Sequence, residues 1–377
     1  MLCYEYPPLG GGGAKVVDGL TRELINQGQQ VDLVTMGFKD LPNFEHKNTL
    51  RVFRVKSARL RTSICTWPEM IIYIFLAMPV IIKLCRQNDY CINHTHFIFP
   101  DGILAYLLKK IKKIPYIITA HGSDVPGYNP DRFKILHKLL IPLWRLITSN
   151  AEQLIIPSEN LNRLVKKVST NNHTTIIPNG INLNKFSPHK ERENKILVVT
   201  RMFERKGVQY FIQALSGFNH DFIVNIVGEG PYLKTLKILA AESKSNINFV
   251  GNLDNESQEL RELYETSKIF VFTSEAENFP VVLLEAMIAG LAIITTNDTG
   301  CAEVVGDGAI LVKSKDSSAI KEALIKLIDG PDLCTKLGKI ARKRAEDFFS
   351  WETVAKKHIK LYSTIQSKKH AELVDIL

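Results

Sequence analysis

Residues 272–290 read FTSEAENFPVVLLEAMIAG, and the order of residue types in this stretch decides the fold class. A β-prone run ends near Thr273 and a polar loop follows. An apolar segment then begins about Pro280, a residue favoured in the first helical position. A strand running through a short loop into a helix is the building block of parallel, doubly wound sheets. The alternation recurs on both sides. Strands are expected at 31–36, 50–55, 90–93, 116–119, 154–157 and 175–178, then at 195–200, 222–227, 247–250, 269–273, 292–296 and 309–312. Amphipathic segments such as 13–27, 206–215, 232–242 and 318–328 lie between them. With 377 residues, more than one core usually supports, this predicts an α/β protein of two doubly wound domains facing each other across a cleft.

The polar stretch 185–194 has a proline and no apolar periodicity, which places the boundary near residue 188. The expected domains are 1–188 and 189–350, with a C-terminal helix, 351–377, crossing back to the first. Only Met1–Tyr4 precede the loop that opens the chain, short for a feeding strand, so Met1 reads as an internal start or a truncated end.

The net charge of +9 is uneven: residues 1–190 hold 24 Lys and Arg against 13 Asp and Glu (+11), and the rest 24 against 26 (−2). A basic half suits anionic partners such as phospholipid headgroups or a phosphorylated acceptor. Arg51, Arg54, Lys56, Arg59 and Arg61 lie beside the most apolar stretch, Met70–Ile82. That stretch falls short of a bilayer span and contains Pro79, so it is expected as a core helix, with a membrane-surface helix the alternative. No aromatic platform or reading motif supports nucleic-acid binding. Six scattered cysteines form no C-x-x-C, and no secretory signal is visible, which suits a reducing, cytoplasmic setting.

Four motifs carry chemistry. Gly10–Gly13 lie between a strand and an amphipathic helix, where unpaired N–H groups and the helix dipole favour an anion. A G-x-G-x-x-G dinucleotide fingerprint fails there, because its sixth position is Lys15 or Val16. His121 and Asp124 follow the strand 116–119 at its carboxyl end, where α/β sites lie. Arg201 and Lys206 follow the strand 195–200 and suit a diphosphate, one through a planar fork, the other as a compact charge. Glu277 falls in the loop and Glu285 on the helix of the opening stretch, seven residues between them. The helix start at Pro280 offers the N–H groups of the residues that follow, Val281 and Val282, to phosphates or sugar hydroxyls, and Glu285 offers a carboxylate to a ribose diol.

Together with the stretch 177–181 (IPNGI, containing Asn179), Gly228 in 228–231 (GEGP), Glu303 and Trp351, these motifs resemble glycosyltransferase family 4, in the family's order and over nearly the whole chain. The resemblance implies a GT-B fold of two Rossmann-like domains and a retaining, usually metal-independent glycosyltransferase. A nucleotide-diphosphate-sugar would sit on the C-terminal domain, and a hydroxyl acceptor (glycan, lipid-linked or small molecule) mostly on the N-terminal one. Arg201 and Lys206 would hold the diphosphate, Glu285 the ribose, Glu277 and His121 the donor sugar. Gly12 and Gly13 would line the phosphate side of the cleft, with Gly228 on the donor side and Asp124 and Asn179 on the acceptor side. Pro280 stands where the family often has glycine, and Cys301 interrupts a frequent Gly-Gly loop. No cofactor or metal is expected, and no Asp-x-Asp occurs. Cations on a departing diphosphate lower the barrier of an oxocarbenium-like transfer. The place expected is polysaccharide or glycoconjugate synthesis, in the cytoplasm or on the inner face of the cell membrane. The alternatives are a sugar-nucleotide epimerase or hydrolase on the same scaffold, or an inactive sugar-nucleotide-binding module.

Overall fold

The computed structural model describes residues 1–62, 64–128, 134–170, 173–187, 191–217 and 220–374. The chain divides into two compact units, Met1–Gly180 with Trp351–Leu377, and Ile181–Ser350. The division precedes the polar stretch expected as a linker, because that stretch is bound into the second unit. Phe186 is buried, Ser187 N–H donates to Glu265 Oε1 (2.8 Å), and Arg192 donates to the carbonyls of Tyr264 and Ser267 (3.0 and 2.8 Å). Residues 188–190, where the expected boundary falls, lie outside the described residues.

The first unit runs α1 (Gly12–Asn26), β1 (Val31–Met36), β2 (Phe44–Lys47), β3 (Leu50–Val55), α2 (Trp67–Gln87), β4 (Asn93–His96), α3 (Asp101–Lys112), β5 (Tyr116–Thr119), α4 (Lys134–Ser149), β6 (Gln153–Ile156), α5 (Glu159–Val168) and β7 (Thr174–Ile176). β4 to β7 pair in parallel in chain order, while β3 pairs with β1 in parallel and with β2 in antiparallel fashion. Leu2 joins the two sheets, bridging Val34 of β1 and Thr95 of β4. The short N-terminal segment therefore serves as the central strand. Chain order reverses beside it, β1 lying on one flank and β4 on the other, and a reversal leaves a crevice at the carboxyl ends.

β4 lies three residues later than expected. Its Asn-His-Thr-His sequence looks polar, yet all four residues are buried. α2 also departs from expectation. Its start is fixed by Glu69, whose Oε2 accepts from Thr66 N–H (2.6 Å), and the helix reaches 21 residues, long and apolar enough to cross a bilayer by length and composition. Tyr73, Ala77, Ile81 and Leu84 occupy the core at helical spacing, but only 28% of its most apolar window is buried. α2 thus packs one stripe into the core and leaves most of its length partly or wholly exposed, lying on the unit.

The second unit runs β8 (Glu193–Val199), α6 (Val208–Leu215), β9 (Ile223–Val227), α7 (Leu233–Ser243), β10 (Ile247–Gly251), α8 (Gln258–Thr266), β11 (Ser267–Phe272), α9 (Val281–Ala289), β12 (Ala292–Thr296), α10 (Cys301–Val305), β13 (Ala309–Val312), α11 (Ser317–Ile328) and α12 (Pro331–Phe348). Its sheet is wholly parallel, in the order β10-β9-β8-β11-β12-β13, and reverses between β8 and β11. The period-2 alternation of strands divides its apolar residues between two cores. Ile196, Val198, Ile269, Val271 and Ile294 fill one face, Leu197, Phe270, Phe272 and Ile293 the other.

α13 (Trp351–Val374) belongs to the first unit again. The Trp351 indole fits between Gly19 of α1 and Gly180. A Cβ on either glycine would lie 2.2 or 2.3 Å from the ring, so no larger residue leaves room.

Candidate active site

In the second unit the loop after β8 and the loop after β11 flank the sheet reversal. Gly207 makes their approach feasible: it adopts φ +71°, and a Cβ there would stand 2.0 Å from Thr273 O. Thr273 Oγ1 donates to Gly207 O (3.0 Å), and Glu275 N–H donates to Arg205 O (2.9 Å). The two loops thereby bring Lys206 and Glu277 into an ion pair, each side chain about 10% exposed. Arg201 sits at the start of the same loop, exposed, its guanidinium 5.6 Å from the centroid of the Phe203 ring. Gly228 follows β9, its N–H bonded to Gly251 O.

α9 begins one residue later than expected, at Val281, with Pro280 as the residue before it. Val281 and Val282, half-buried, head the helix, and its first-turn N–H groups have no partner inside the helix. One turn further Glu285 is 2% exposed. Its Oε1 accepts from Lys185 Nζ (2.7 Å) and Asn255 Nδ2 (3.5 Å), and its Oε2 from the Tyr264 hydroxyl (3.1 Å). Burial and the facing carboxylate push the Tyr264 phenol well above its ordinary range, so it remains a donor. Lys185 and Tyr264 were missed in the sequence. Lys185 sits in the stretch read as linker, 100 positions from its partner, and no local signal marks it.

The other expected residues belong to the first unit's own reversal. Gly12 opens α1, and a Cβ on Gly13 would strike the Phe97 ring at 2.5 Å and approach His121 Nδ1 at 3.5 Å. His121 Nε2 lies 3.1 Å from His96 Nδ1, and Phe97 packs on the His121 ring at 4.3 Å. Desolvation pushes the His121 imidazole down to about 3, so it is neutral at physiological pH. Asp124 is buried, and its carboxylate accepts from the N–H groups of His121, Gly122 and Ile98 (3.0, 3.0 and 2.9 Å). It therefore orients the His121 loop from beneath. Asn179 is buried beside Gly180. Among the described residues no group of three or more His, Cys, Asp or Glu side chains is gathered for a metal ion.

The basic cluster expected beside α2 is largely consumed. Arg51 makes a bidentate pair with Asp32, Arg54 pairs with Glu45, and Arg59 is buried on Glu5 and the carbonyls of Arg61 and Thr62. Of the five, Lys56 and Arg61 are exposed.

Comparison with known proteins agrees with this architecture. The family model for glycosyltransferase family 4 matches residues 10–185, and that for glycosyl transferases group 1 matches residues 181–344. An uncharacterized glycosyltransferase of Methanocaldococcus jannaschii is 26% identical, covering 96% of this chain and 97% of its own length. N-acetyl-alpha-D-glucosaminyl L-malate synthase of Bacillus anthracis is 25% identical over 95% of this chain and 94% of its own. The sucrose-phosphate synthase of Thermosynechococcus elongatus superposes with a TM-score of 0.80 at 22% identity, over 95% and 94% of the two chains, and shares the GT-B fold of two Rossmann-like domains. The chain belongs to the family 4 glycosyltransferases.

Proposed function

We propose that this glycosyltransferase is retaining and uses a nucleotide-diphosphate-sugar, transferring a hexosyl or N-acetylhexosaminyl group to a hydroxyl acceptor in polysaccharide or glycoconjugate synthesis. The observation that carries the reading is the Lys206–Glu277 pair beside the sheet reversal, next to the half-buried N-terminus of α9. A diphosphate entering there competes for Lys206 and releases Glu277 toward the sugar hydroxyls. Arg201, Lys206 and the N–H groups of Val281 and Val282 would hold the diphosphate, with Gly228 alongside. Glu285 would meet the ribose through the lone pairs that Lys185, Asn255 and Tyr264 leave open.

In the transfer, the acceptor oxygen bonds to the anomeric carbon as that carbon's bond to the diphosphate breaks. Charge developing on the leaving oxygen is met by Lys206 and Arg201, and the acceptor proton passes to the departing diphosphate. Neither glutamate is poised as a nucleophile, since Glu277 is held by Lys206 and Glu285 by Lys185 and Tyr264. For the retaining transfer that the family resemblance implies, this favours displacement on one face of the sugar over a covalent glycosyl-enzyme. A donor screen for released nucleoside diphosphate tests the reading, with the product's anomeric configuration read by NMR. Alteration of the donor without an acceptor would indicate an epimerase or hydrolase, and binding without turnover an inactive module.

The acceptor is met at an anionic membrane surface on the cytoplasmic side. Ile72, Phe75, Leu76, Pro79, Lys83 and Arg86 share one exposed stripe of α2, with Phe75 73% exposed. Leu107 and Ile111 of α3 and Leu139 and Leu146 of α4 extend the apolar exposure on neighbouring helices, with Lys110 exposed beside them. An apolar face whose stripes end in exposed lysine and arginine matches an interfacial helix on anionic lipid. Each cation near such a leaflet adds about 1 kcal/mol.

A further inference from the structure

The crevice of the first unit contains a proton-counting problem. His96 is fully buried, and its Nδ1 lies 3.1 Å from His121 Nε2. Its other ring nitrogen, Nε2, is buried with no hydrogen-bond partner among the described residues. The flanking rings are His94, stacked at 4.3 Å, and His121 at 5.3 Å. His94 is fully engaged, its Nδ1 with the Tyr362 hydroxyl (2.7 Å) and its Nε2 with Thr119 Oγ1 (2.8 Å), so it offers His96 nothing. Burial holds all three imidazoles neutral, each with one ring proton.

Two proton arrangements satisfy the His96–His121 contact. In the first, His121 Nε2–H donates to a bare His96 Nδ1. The His96 proton must then sit on Nε2, an orphaned N–H in the core. In the second, His96 Nδ1–H donates to a bare His121 Nε2. The orphan is then a lone pair, and the His121 proton sits on Nδ1. Buried donors without partners are rarer in folded proteins than under-used acceptors, and an unmade donor bond carries the full desolvation cost. The second arrangement wins. One ring nitrogen's partner thereby fixes what the other presents.

We infer that His96 is a positioning residue which locks His121 in the Nδ1–H tautomer, so that His121 offers a hydrogen-bond donor to the space beside Gly13. Nδ1 is the nitrogen that faces that space, 3.5 Å from where a Gly13 Cβ would stand. The group it takes is an acceptor oxygen, such as a sugar hydroxyl or a phosphate oxygen, and an ammonium or a cation is rejected. The catalytic consequence rests on the contact with the donor sugar that the family resemblance implies for His121, whereas the tautomer does not.

Long-range proton–nitrogen NMR of the full chain, nitrogen-15 labelled in histidine, reads the tautomer directly. His121 is assigned by its absence in His121→Asn. The expected spectrum of the ligand-free wild type has a protonated Nδ1 and a bare Nε2 on His121. A protonated Nε2 overturns the inference whatever the activity. His96→Asn keeps an N–H donor where Nδ1 stood, with its amide oxygen replacing the unpaired ring lone pair, so it should preserve both the tautomer and turnover within about twofold. His96→Phe removes the donor and should release His121 into the other or a mixed tautomer. Turnover should then fall at least tenfold, with the donor KM little changed. A released tautomer with unchanged turnover would sink the proposed role of His121 and leave the tautomer lock standing. If His96→Phe does not fold, the wild-type spectrum and His96→Asn still decide.

Discussion

Lys185 Nζ stands 2.7 Å from Glu285 Oε1 inside the second unit, while Lys206 closes on Glu277. Each glutamate of the E-x7-E pair is thus neutralised by a lysine from a different loop. Removing one partner of a buried pair strands the other's charge and costs about 3–5 kcal/mol, whereas replacing both by apolar residues is often neutral.

Arg201→Ala should lower kcat/KM by the equivalent of about 2–4 kcal/mol, the size of losing one oxyanion donor. Lys206→Ala should lower activity similarly and also melt earlier, because Glu277 is left unpaired. The double variant Lys206→Met, Glu277→Leu should regain stability without activity. Thermal melts beside steady-state kinetics decide. A Lys206→Ala protein melting like the wild type would show that the pair carries no buried charge.

Glu285→Ala should mainly raise the donor KM, since a ribose contact is made equally in ground and transition states, and Glu277→Ala should mainly lower kcat. Lys185→Met should destabilise the second unit by stranding Glu285. Exchanged kinetic phenotypes for the two glutamates would reverse the assignment of ribose and sugar between them.

Sedimentation with anionic vesicles should retain the wild-type chain at low salt and release it as salt rises past physiological strength, where the screening length is about 8 Å. Phe75→Glu with Leu76→Glu should abolish binding with no loss of folding, because both side chains point away from the core. Equal binding to neutral vesicles would remove the electrostatic part of the reading. No binding at low salt would remove the membrane altogether.

Stability should fall as the solution is acidified below about pH 6.5. His358 is held down to about 4 by burial, His121 to about 3, and His94 and His96 well below 6.5, with His358 and the N-terminal amine adding repulsion at His94. Between about pH 4 and 6.5 the unfolded chain binds protons at these four histidines that the folded one refuses, while Asp101, pushed up to about 8 by burial, keeps one that the unfolded chain releases, so the net slope of stability with pH is positive there. Calorimetry from pH 7.5 to 5 checks the slope, which should be shallower in His358→Leu.

The sequence made the alternation of strand and helix plain because apolar runs of four to six residues are hard to mistake, and Ala292–Thr296 and Ala309–Val312 fall where their composition puts them. It displaced β4 by three residues because the strand's histidines are neutral and buried, a property of their surroundings that composition does not carry. It concealed the pairing of Lys185 for the same reason. Polar residues 185–194 look like a tether until Phe186 and Arg192 are seen anchored in the second unit. The apolar stretch of α2 showed its hydrophobicity, but burial depends on which face the neighbours cover, and they cover only one. Arg51, Arg54 and Arg59 counted as surface charge until their acidic partners, distant in the chain, were placed.

The seating of Trp351 between Gly19 and Gly180 bears on how the polypeptide is made. During synthesis the second unit is contiguous and can close as soon as Ser350 has emerged. The first, though begun earlier, lacks its final helix until some 170 further residues have been added. Until Trp351 arrives, the slot on α1 lies open and the apolar residues α13 covers, among them those facing Val354 and Ala355, remain wet. The part of the chain translated first is therefore the part completed last. A ribosome that stops at residue 350 would release a chain whose second unit is whole and whose first is an unfinished substrate for chaperones and proteases.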